Sequence, residues 1–241
     1  PPLTTARPRR PIYLPMKPPS ALPENEHIAT RFILIRHGET DWNREARMQG
    51  HIDIALNPLG QAQAAQVASA LQVERLDAIY SSDLCRAQDT AAKICALQTH
   101  LTLQASAQLR ERHYGTFQGR TLPEVAAEDP QAAERWRKRD ASFAPAGGET
   151  LPAFASRIHT WLAQAASAHR GQQVCVVTHG GVLDVVWRLA HGLALDTPRA
   201  WDLPNTGINR LRFSAGAWQI DAWAEVGHLH DASIVRDETI A

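Results

Sequence analysis

The chain has 241 residues, with 25 lysines and arginines against 25 aspartates and glutamates, and 44% of its residues are hydrophobic. This length suits one domain with a full core, and the hydrophobic content argues against disorder. The balanced charge gives no reason to expect nucleic acid or an anionic membrane as a partner. No apolar run reaches the roughly 20 residues of a membrane span. Three cysteines without CxxC spacing argue against a disulfide framework or a zinc site and favour reduced thiols in a cytoplasmic protein.

Residues 1–30 differ in composition from the rest of the chain. They are rich in proline and show neither helical nor strand periodicity, so they carry too little apolar surface to offset the entropy lost on ordering. We therefore predict a disordered, proline-rich extension over residues 1–30 and a single domain over residues 31–241. Met16 is the expected natural start, with residues 1–15 upstream of it. The alternative for this segment is a proline-rich docking arm.

Further along the chain, short apolar runs alternate with amphipathic segments, which predicts strands alternating with helices. Buried strands are expected at 32–35 and 174–177, and further strands at 78–81 and 101–104. Helices are expected from Asn57-Pro58 to Leu71, over 83–97, along an apolar stripe after Thr150, and from 180 to 190 with Gly192 near the end. A hairpin is expected around Ser214-Ala215-Gly216, and an irregular lid with one or two short helices around Glu124 and Arg135.

This alternation predicts an α/β fold, a three-layer αβα sandwich with a mostly parallel central sheet. His37 and His179 lie one or two residues past predicted strands, and Arg86 and Glu111 also follow strands. Ligands of such sheets bind beyond the carboxyl ends of the strands. We therefore expect these four side chains to meet at one rim of the sheet.

Five segments carry a resemblance to a known family. They are Arg36-His37-Gly38-Glu39-Thr40, Asp53–Leu56 with Gly60-Gln61-Ala62, Ser81–Ala87, Glu111–Gly115, and Thr178-His179-Gly180. Their order and spacing resemble the histidine phosphatase superfamily, which includes the phosphoglycerate mutases, from about Arg31 to Leu229. The resemblance implies a phosphoglycerate mutase-like fold and phosphoryl transfer through a phosphohistidine, with no metal and no other cofactor.

The resemblance also implies roles for single residues. It makes His37 the nucleophile and Glu111 the general acid and base. A phosphoryl dianion needs positive charge and several donors, and the implied catalytic groups that supply them are Arg36, Arg86 and, if protonated, His179. We expect the second ring nitrogen of His37 to donate to a backbone carbonyl, which leaves the attacking nitrogen unprotonated.

Further residues are candidates for binding the substrate. They are Gly38, Asn43, Gln49, Gly50, Arg112, Tyr114 and Gly180. Gly38 allows close backbone approach, and Gly180 supplies an N–H group at a helix start, a natural site for an anion. Alternatively, Asn43, Gln49 and Gly50 are plain turn residues. Arg112 and Tyr114 could likewise serve only to pack the lid.

Phosphatase and mutase are the two chemistries to distinguish. Glu111–Gly115 resembles the mutases, whereas the short segment between Tyr114 and Gly148, the Gly180-Gly181 pair and Gly147–Thr150 resemble the phosphatases. A short lid would admit water to a phosphohistidine, so we expect a phosphomonoester hydrolase that acts on a small phosphorylated metabolite. The alternatives are a 2,3-bisphosphoglycerate-dependent phosphoglycerate mutase and a catalytically inactive module that binds a phosphate ligand. Phosphoglycerate-like acids, sugar phosphates and nucleotide-derived phosphates all stay open as substrates.

Overall fold

Six strands form the centre of the protein, whose computed structural model describes residues 28–229. The strands are β1 (Thr30–Arg36), β2 (Ala78–Ser82), β3 (Leu103–Ser106), β4 (Gln173–Thr178), β5 (Ile208–Ser214) and β6 (Ala217–Glu225). The helices are α1 (Asp41–Arg44), α2 (Pro58–Leu71), α3 (Cys85–Leu97), α4 (Leu122–Glu128), α5 (Pro130–Arg137), α6 (Leu151–Ala168) and α7 (Gly180–His191). Most of the predicted disordered extension lies outside the described residues, but β1 starts at Thr30, inside the range predicted to be disordered.

The sheet has the strand order β3-β2-β4-β1-β5-β6. The first four strands in this order are parallel, whereas β5 is antiparallel to β1 and to β6. The carboxyl ends of β1 to β4 therefore lie along one edge of the sheet. The predicted hairpin is confirmed as β5 and β6, whose connection uses Ala215 and Gly216 at positive φ of 50° and 79°.

Alternating apolar residues bury both faces of the sheet, as the sandwich prediction requires. Phe32 and Leu34 pack with α6 and α7, while Ile33 and Ile35 pack with α2 and α3 on the opposite face. The predicted apolar stripe of α6, from Leu151 to Ala165, is buried. The three-layer αβα architecture is therefore confirmed.

Side-chain caps set several of the helix starts. Asn57 accepts a hydrogen bond from the backbone of α2, and Thr150 does the same for α6, both as predicted. Helix α3 starts two residues later than predicted, because Leu84 is still extended. Strand β3 also starts two residues late, since the backbone N–H of Leu101 still closes a turn with Gln98.

The lid between β3 and α6 has its own small core. It contains the two predicted short helices, α4 and α5, around Glu124 and Arg135. We call its buried apolar residues the lid cluster: Met48, Tyr114, Phe117, Val125, Ala132 and Ala133. The lid cluster is separate from the two cores that flank the sheet. Within residues 28–229, no helix combines the length and apolar character that crossing a membrane requires.

Candidate active site

A pocket of about 440 Å³ lies at the carboxyl ends of the parallel strands. Nine of the predicted site residues line it: Arg36, His37, Asn43, Gln49, Gly50, Arg86, Glu111, Tyr114 and Gly180. The ring of His179 lies directly behind, with its centroid 5.1 Å from that of His37. His37, Arg86, Glu111 and His179, which follow the four parallel strands, therefore meet at one rim of the sheet, as predicted.

The ring of His37 is held in one tautomer. Its Nδ1 lies 2.7 Å from the carbonyl oxygen of Gly38, as expected. Because a carbonyl only accepts hydrogen bonds, Nδ1 carries a hydrogen, and in the neutral ring the lone pair is on Nε2. The backbone is fixed as well: the N–H of His37 donates to Thr178 O at 2.9 Å, and Nδ2 of Asn205 donates to His37 O at 2.8 Å.

Backbone carbonyls orient the two arginines of the pocket. Nη1 of Arg36 donates to Leu203 O at 2.6 Å. Nη1 and Nη2 of Arg86 donate to Ile52 O and Gly50 O, at 3.0 and 2.8 Å. Burial lowers the pKa of Arg86 to about 10, so that the guanidinium is still charged at neutral pH. The two arginines thus present fixed positive charge beside His37.

The imidazole of His179 is fully buried. Neither ring nitrogen has a hydrogen-bond partner among residues 28–229. Burial, followed by the positive charge of Arg86, holds the pKa of His179 well below its usual range. The ring is therefore neutral in the free protein. An oxyanion in the pocket would reverse this balance, because its negative charge favours the protonated ring.

The carboxyl group of Glu111 accepts two backbone hydrogen bonds. Oε1 accepts from Arg112 N at 2.8 Å, and Oε2 accepts from Gly181 N at 2.9 Å. Burial raises the pKa of Glu111 and outweighs the opposing effects of these two N–H groups, Arg86 and Arg36. From the sequence alone, the pKa of Glu111 could be set either by burial, which raises it, or by the nearby arginines, which lower it. The structure favours burial, and hence a carboxyl group that holds its proton more firmly than a free glutamate does.

Gly38, a predicted substrate-binding residue, packs against a helix rather than facing the pocket. A Cβ added to Gly38 would lie 2.4 Å from Gly60 O, at the start of α2. The close backbone approach at Gly38 is therefore to this helix, and Gly38 is not among the residues that line the pocket.

The other turn candidates lie in the pocket wall. Oδ1 of Asn43 accepts from Thr40 in a capping box at the start of α1. Gln49 is buried, and its Oε1 has no partner among the described residues. Gly50 has a φ of +54° and supplies a carbonyl oxygen to Arg86. Asn43 and Gly50 thus combine a structural contact with a place beside the pocket, whereas Gln49 brings to the pocket wall a buried amide oxygen without a partner in the described part of the chain.

Arg112 contacts the lid rather than the pocket. Its Nε donates to Glu149 O and its Nη2 to Phe143 O, and its guanidinium lies 4.8 Å from the ring centre of Trp136. Arg112 is absent from the residues lining the pocket, whereas Tyr114 is present. These contacts agree with the alternative that Arg112 packs the lid. The binding of substrate by Arg112 stays a prediction.

Several site residues were not identified from the sequence. Arg47, Met48 and Trp136 also line the pocket. Met48 exchanges backbone hydrogen bonds with residues 119–120 of the lid, and Arg47 contacts Gly119 O and Glu124. None of these residues belongs to a quoted motif, and their approach depends on how the lid folds back. No group of three or more potential metal-ligating side chains occurs within residues 28–229.

The arrangement agrees with the comparisons to known proteins. Residues 32–226 match the family model of the histidine phosphatase superfamily (branch 1). A metal-independent phosphoserine phosphatase from Arabidopsis thaliana is 37% identical over 218 residues, 88% of this chain and 88% of the relative. A glucosyl-3-phosphoglycerate phosphatase from Mycobacterium tuberculosis is 32% identical over 212 residues, 81% of this chain and 94% of the relative.

A solved structure extends the similarity to the fold. It is a phosphoserine phosphatase mutant from Entamoeba histolytica in complex with phosphoserine. The TM-score is 0.76 at 27% sequence identity, and the match covers 83% of this chain and 100% of that chain. The strand-end pocket therefore lies within the part of the chain that these similarities cover.

Proposed function

Because this chain belongs to the histidine phosphatase superfamily, we propose that it hydrolyses a small phosphate monoester through a phosphohistidine formed on His37. It is a metal-independent histidine phosphatase, a phosphoric monoester hydrolase. The observation that carries the proposal is the pairing of two groups in one pocket. Nδ1 of His37 is bonded to Gly38 O, which leaves Nε2 as the nitrogen for attack, and Glu111 has a pKa raised by burial.

The first chemical step forms the phosphoenzyme. Nε2 of His37 attacks phosphorus, and the bond from phosphorus to the ester oxygen breaks. Glu111 gives its proton to that departing oxygen, and the alcohol leaves. Arg36 and Arg86 stabilise the charge on the other phosphoryl oxygens, a task for which fixed and desolvated cations are suited. His179 joins them once the bound dianion favours its protonated form.

The second step returns the enzyme to its starting state. Glu111 is now a carboxylate and takes a proton from a water molecule whose oxygen attacks phosphorus. The bond from phosphorus to Nε2 breaks, and inorganic phosphate leaves. Nδ1 keeps its hydrogen bond to Gly38 O throughout, so the ring does not change tautomer between the two steps.

Hydrolysis is preferred over the mutase alternative because of the lid. Between Tyr114 and Gly148 the lid consists of two short helices and turns, α4 and α5 being seven and eight residues long. A mutase has to protect its phosphohistidine from water while the substrate reorients. The inactive-module alternative is disfavoured, because His37, Glu111 and both arginines are present around one pocket.

The substrate is proposed to be a small phosphorylated metabolite. The names of the relatives specify phosphoserine and glucosyl-3-phosphoglycerate, both small phosphate esters. We further propose a cytoplasmic enzyme, since its cysteines lack the spacing of a disulfide framework and Cys85, Cys95 and Cys175 are unpaired.

One experiment tests the function directly. The protein is assayed against 4-nitrophenyl phosphate and a panel of alkyl phosphate esters, and is then denatured with detergent at alkaline pH during turnover of a ³²P-labelled substrate. We expect an acid-labile phosphate on His37, and no turnover of any ester by His37→Ala. Isomerisation of 3-phosphoglycerate that depends on added 2,3-bisphosphoglycerate would favour the mutase. Full turnover by His37→Ala would refute the mechanism.

A further inference from the structure

Gly181 is in contact with the carboxyl group of Glu111, whereas the sequence marks it only as part of the Gly180-Gly181 pair that resembles the phosphatases. It lies in the first turn of α7, where backbone N–H groups are not used within the helix. Its N–H donates to Oε2 of Glu111 at 2.9 Å. The helix start therefore binds a carboxyl oxygen of this chain itself.

The second contact concerns the side chain that Gly181 lacks. An added Cβ would lie 2.1 Å from Oε1 of Glu111 and 3.2 Å from Oε2. Real Cβ atoms do not approach oxygen as closely as the first of these distances. Any other residue at position 181 would therefore displace the carboxyl group or the start of α7.

The carboxyl group has little freedom to adapt on its other sides. Its Oε1 is held by Arg112 N at 2.8 Å. The backbone carbonyl of Glu111 accepts from Nε2 of His51 at 2.8 Å and from Nη2 of Arg157 at 3.2 Å. With its backbone fixed in this way, Glu111 can avoid a new Cβ only by rotating its side chain, which breaks the bonds to both N–H groups.

We propose that Gly181 is a positioning residue for the acid–base step: its N–H holds Oε2 of Glu111, and its missing side chain leaves the space that the carboxyl group occupies. The inference rests on the proposed role of Glu111. A positioned acid contributes only if it reaches the departing oxygen, so a rotated carboxyl group loses most of that contribution even though its chemistry is unchanged.

The test compares two esters in the full-length enzyme with Gly181→Ala. We expect kcat for the best alkyl ester of the panel to fall by at least ~10-fold, within the range for a lost general acid. Phosphoenzyme formation from 4-nitrophenyl phosphate should fall much less, because its leaving group needs little protonation. The ratio of the two rates does not depend on how much of the sample is folded. Glu111→Asp, which shortens the side chain and withdraws the carboxyl group from the N–H of Gly181 without adding a Cβ, repeats the test if Gly181→Ala yields no folded protein.

Two controls separate positioning from general damage. Gly227→Ala adds a methyl group where no atom lies within 4 Å, and it should leave both rates unchanged. In a Glu111→Gln background, Gly181→Ala should add no further selective loss on the alkyl ester, because the acid is already absent. Equal losses on both esters, or a selective loss that persists without Glu111, would overturn the inference. Turnover of 4-nitrophenyl phosphate that still requires His37 would leave the proposed function intact in that case.

Discussion

Nδ2 of Asn205 donates a hydrogen bond to the carbonyl oxygen of His37, although 168 residues separate them in the sequence. The neighbouring N–H of Thr206 donates to Arg36 O at 3.0 Å, and Leu203 O accepts from the side chain of Arg36. Residues 203–206, just before β5, therefore fix the backbone of Arg36 and His37 and the side chain of Arg36.

Asn205→Ala should lower both stability and turnover. It leaves a buried carbonyl oxygen unsatisfied, at a cost of about 1–3 kcal/mol in the free energy of unfolding. The freed backbone should also misplace the ring of His37 and reduce kcat by roughly tenfold or more. Asn209→Ala is the matched control, because Asn209 is also buried and donates to Leu34 O in β1, the strand that ends just before His37. Urea unfolding and initial rates distinguish the two variants, and an equal fall of kcat in both would contradict the positioning role.

Glu111→Gln should slow the reaction of esters with poor leaving groups far more than that of esters with good leaving groups. Glutamine keeps the size of the side chain but cannot supply the proton, so hydrolysis of alkyl phosphates should slow by about 10²–10⁴-fold. Phosphoenzyme formation from an activated aryl phosphate should change far less, as rapid-quench measurements would show. Small and equal losses for both esters would mean that Glu111 only shapes the lid and that another residue supplies the proton.

Arg86→Lys should weaken the binding of oxyanions. Lysine keeps the charge but loses the planar fork that Gly50 O and Ile52 O orient. Hydrogen bonds to charged groups contribute about 1.5–3 kcal/mol, so the inhibition constant of vanadate should rise by roughly tenfold or more. Arg75→Lys, at a side chain that is 92% exposed, should leave it unchanged. Vanadate inhibition unaffected by Arg86→Lys would place Arg86 outside the anion site.

Oxyanion binding should strengthen as the pH falls. His179 is neutral in the free protein because its pKa is lowered, whereas a bound dianion favours the protonated ring, so binding takes up a proton. Sulfate keeps a constant charge between roughly pH 5 and 8, where histidine titrates. Its dissociation constant should decrease with falling pH by up to ~10-fold per unit for this proton.

The contribution of His179 can be isolated by substitution. His179→Gln should bind sulfate more weakly and should reduce the slope of the logarithm of the dissociation constant against pH. Calorimetric titration measures both quantities. An unchanged slope would show that another group takes up the proton. A slope of the opposite sign in the unmodified enzyme would contradict the linkage altogether.

Deleting residues 1–27 should leave catalysis unchanged. The expectation rests on their proline-rich and aperiodic sequence. The cut is placed before Ile28 because Ala29 and Thr30 are buried and β1 starts at Thr30. Both kcat and the melting temperature of the shortened chain should match those of the full-length chain. A large loss of either would show that the segment docks on the domain.

The sequence predicts the residues that act on the phosphoryl group better than it predicts the residues that hold them in place. His37 and His179 directly follow buried apolar runs, so their convergence follows from the strand order of a parallel sheet. The bonds of Asn205 to His37 and of Gly181 to Glu111 join distant segments, and no local pattern indicates them. Arg112 differs from these residues, because it belongs to a motif that the sequence shows. The direction of its side chain, however, depends on the position of Trp136 in the folded lid.

The separate lid cluster gives the molecule a modular character. The phosphate is proposed to contact side chains at strand ends, whereas Tyr114 and Trp136 belong to a lid stabilised by its own apolar contacts. Exchanging α4 and α5 for another pair of helices would thus alter the surface that meets the alcohol while sparing the cores that hold His37 and Arg86. Such an exchange would change the choice of metabolite while the reaction stays the same.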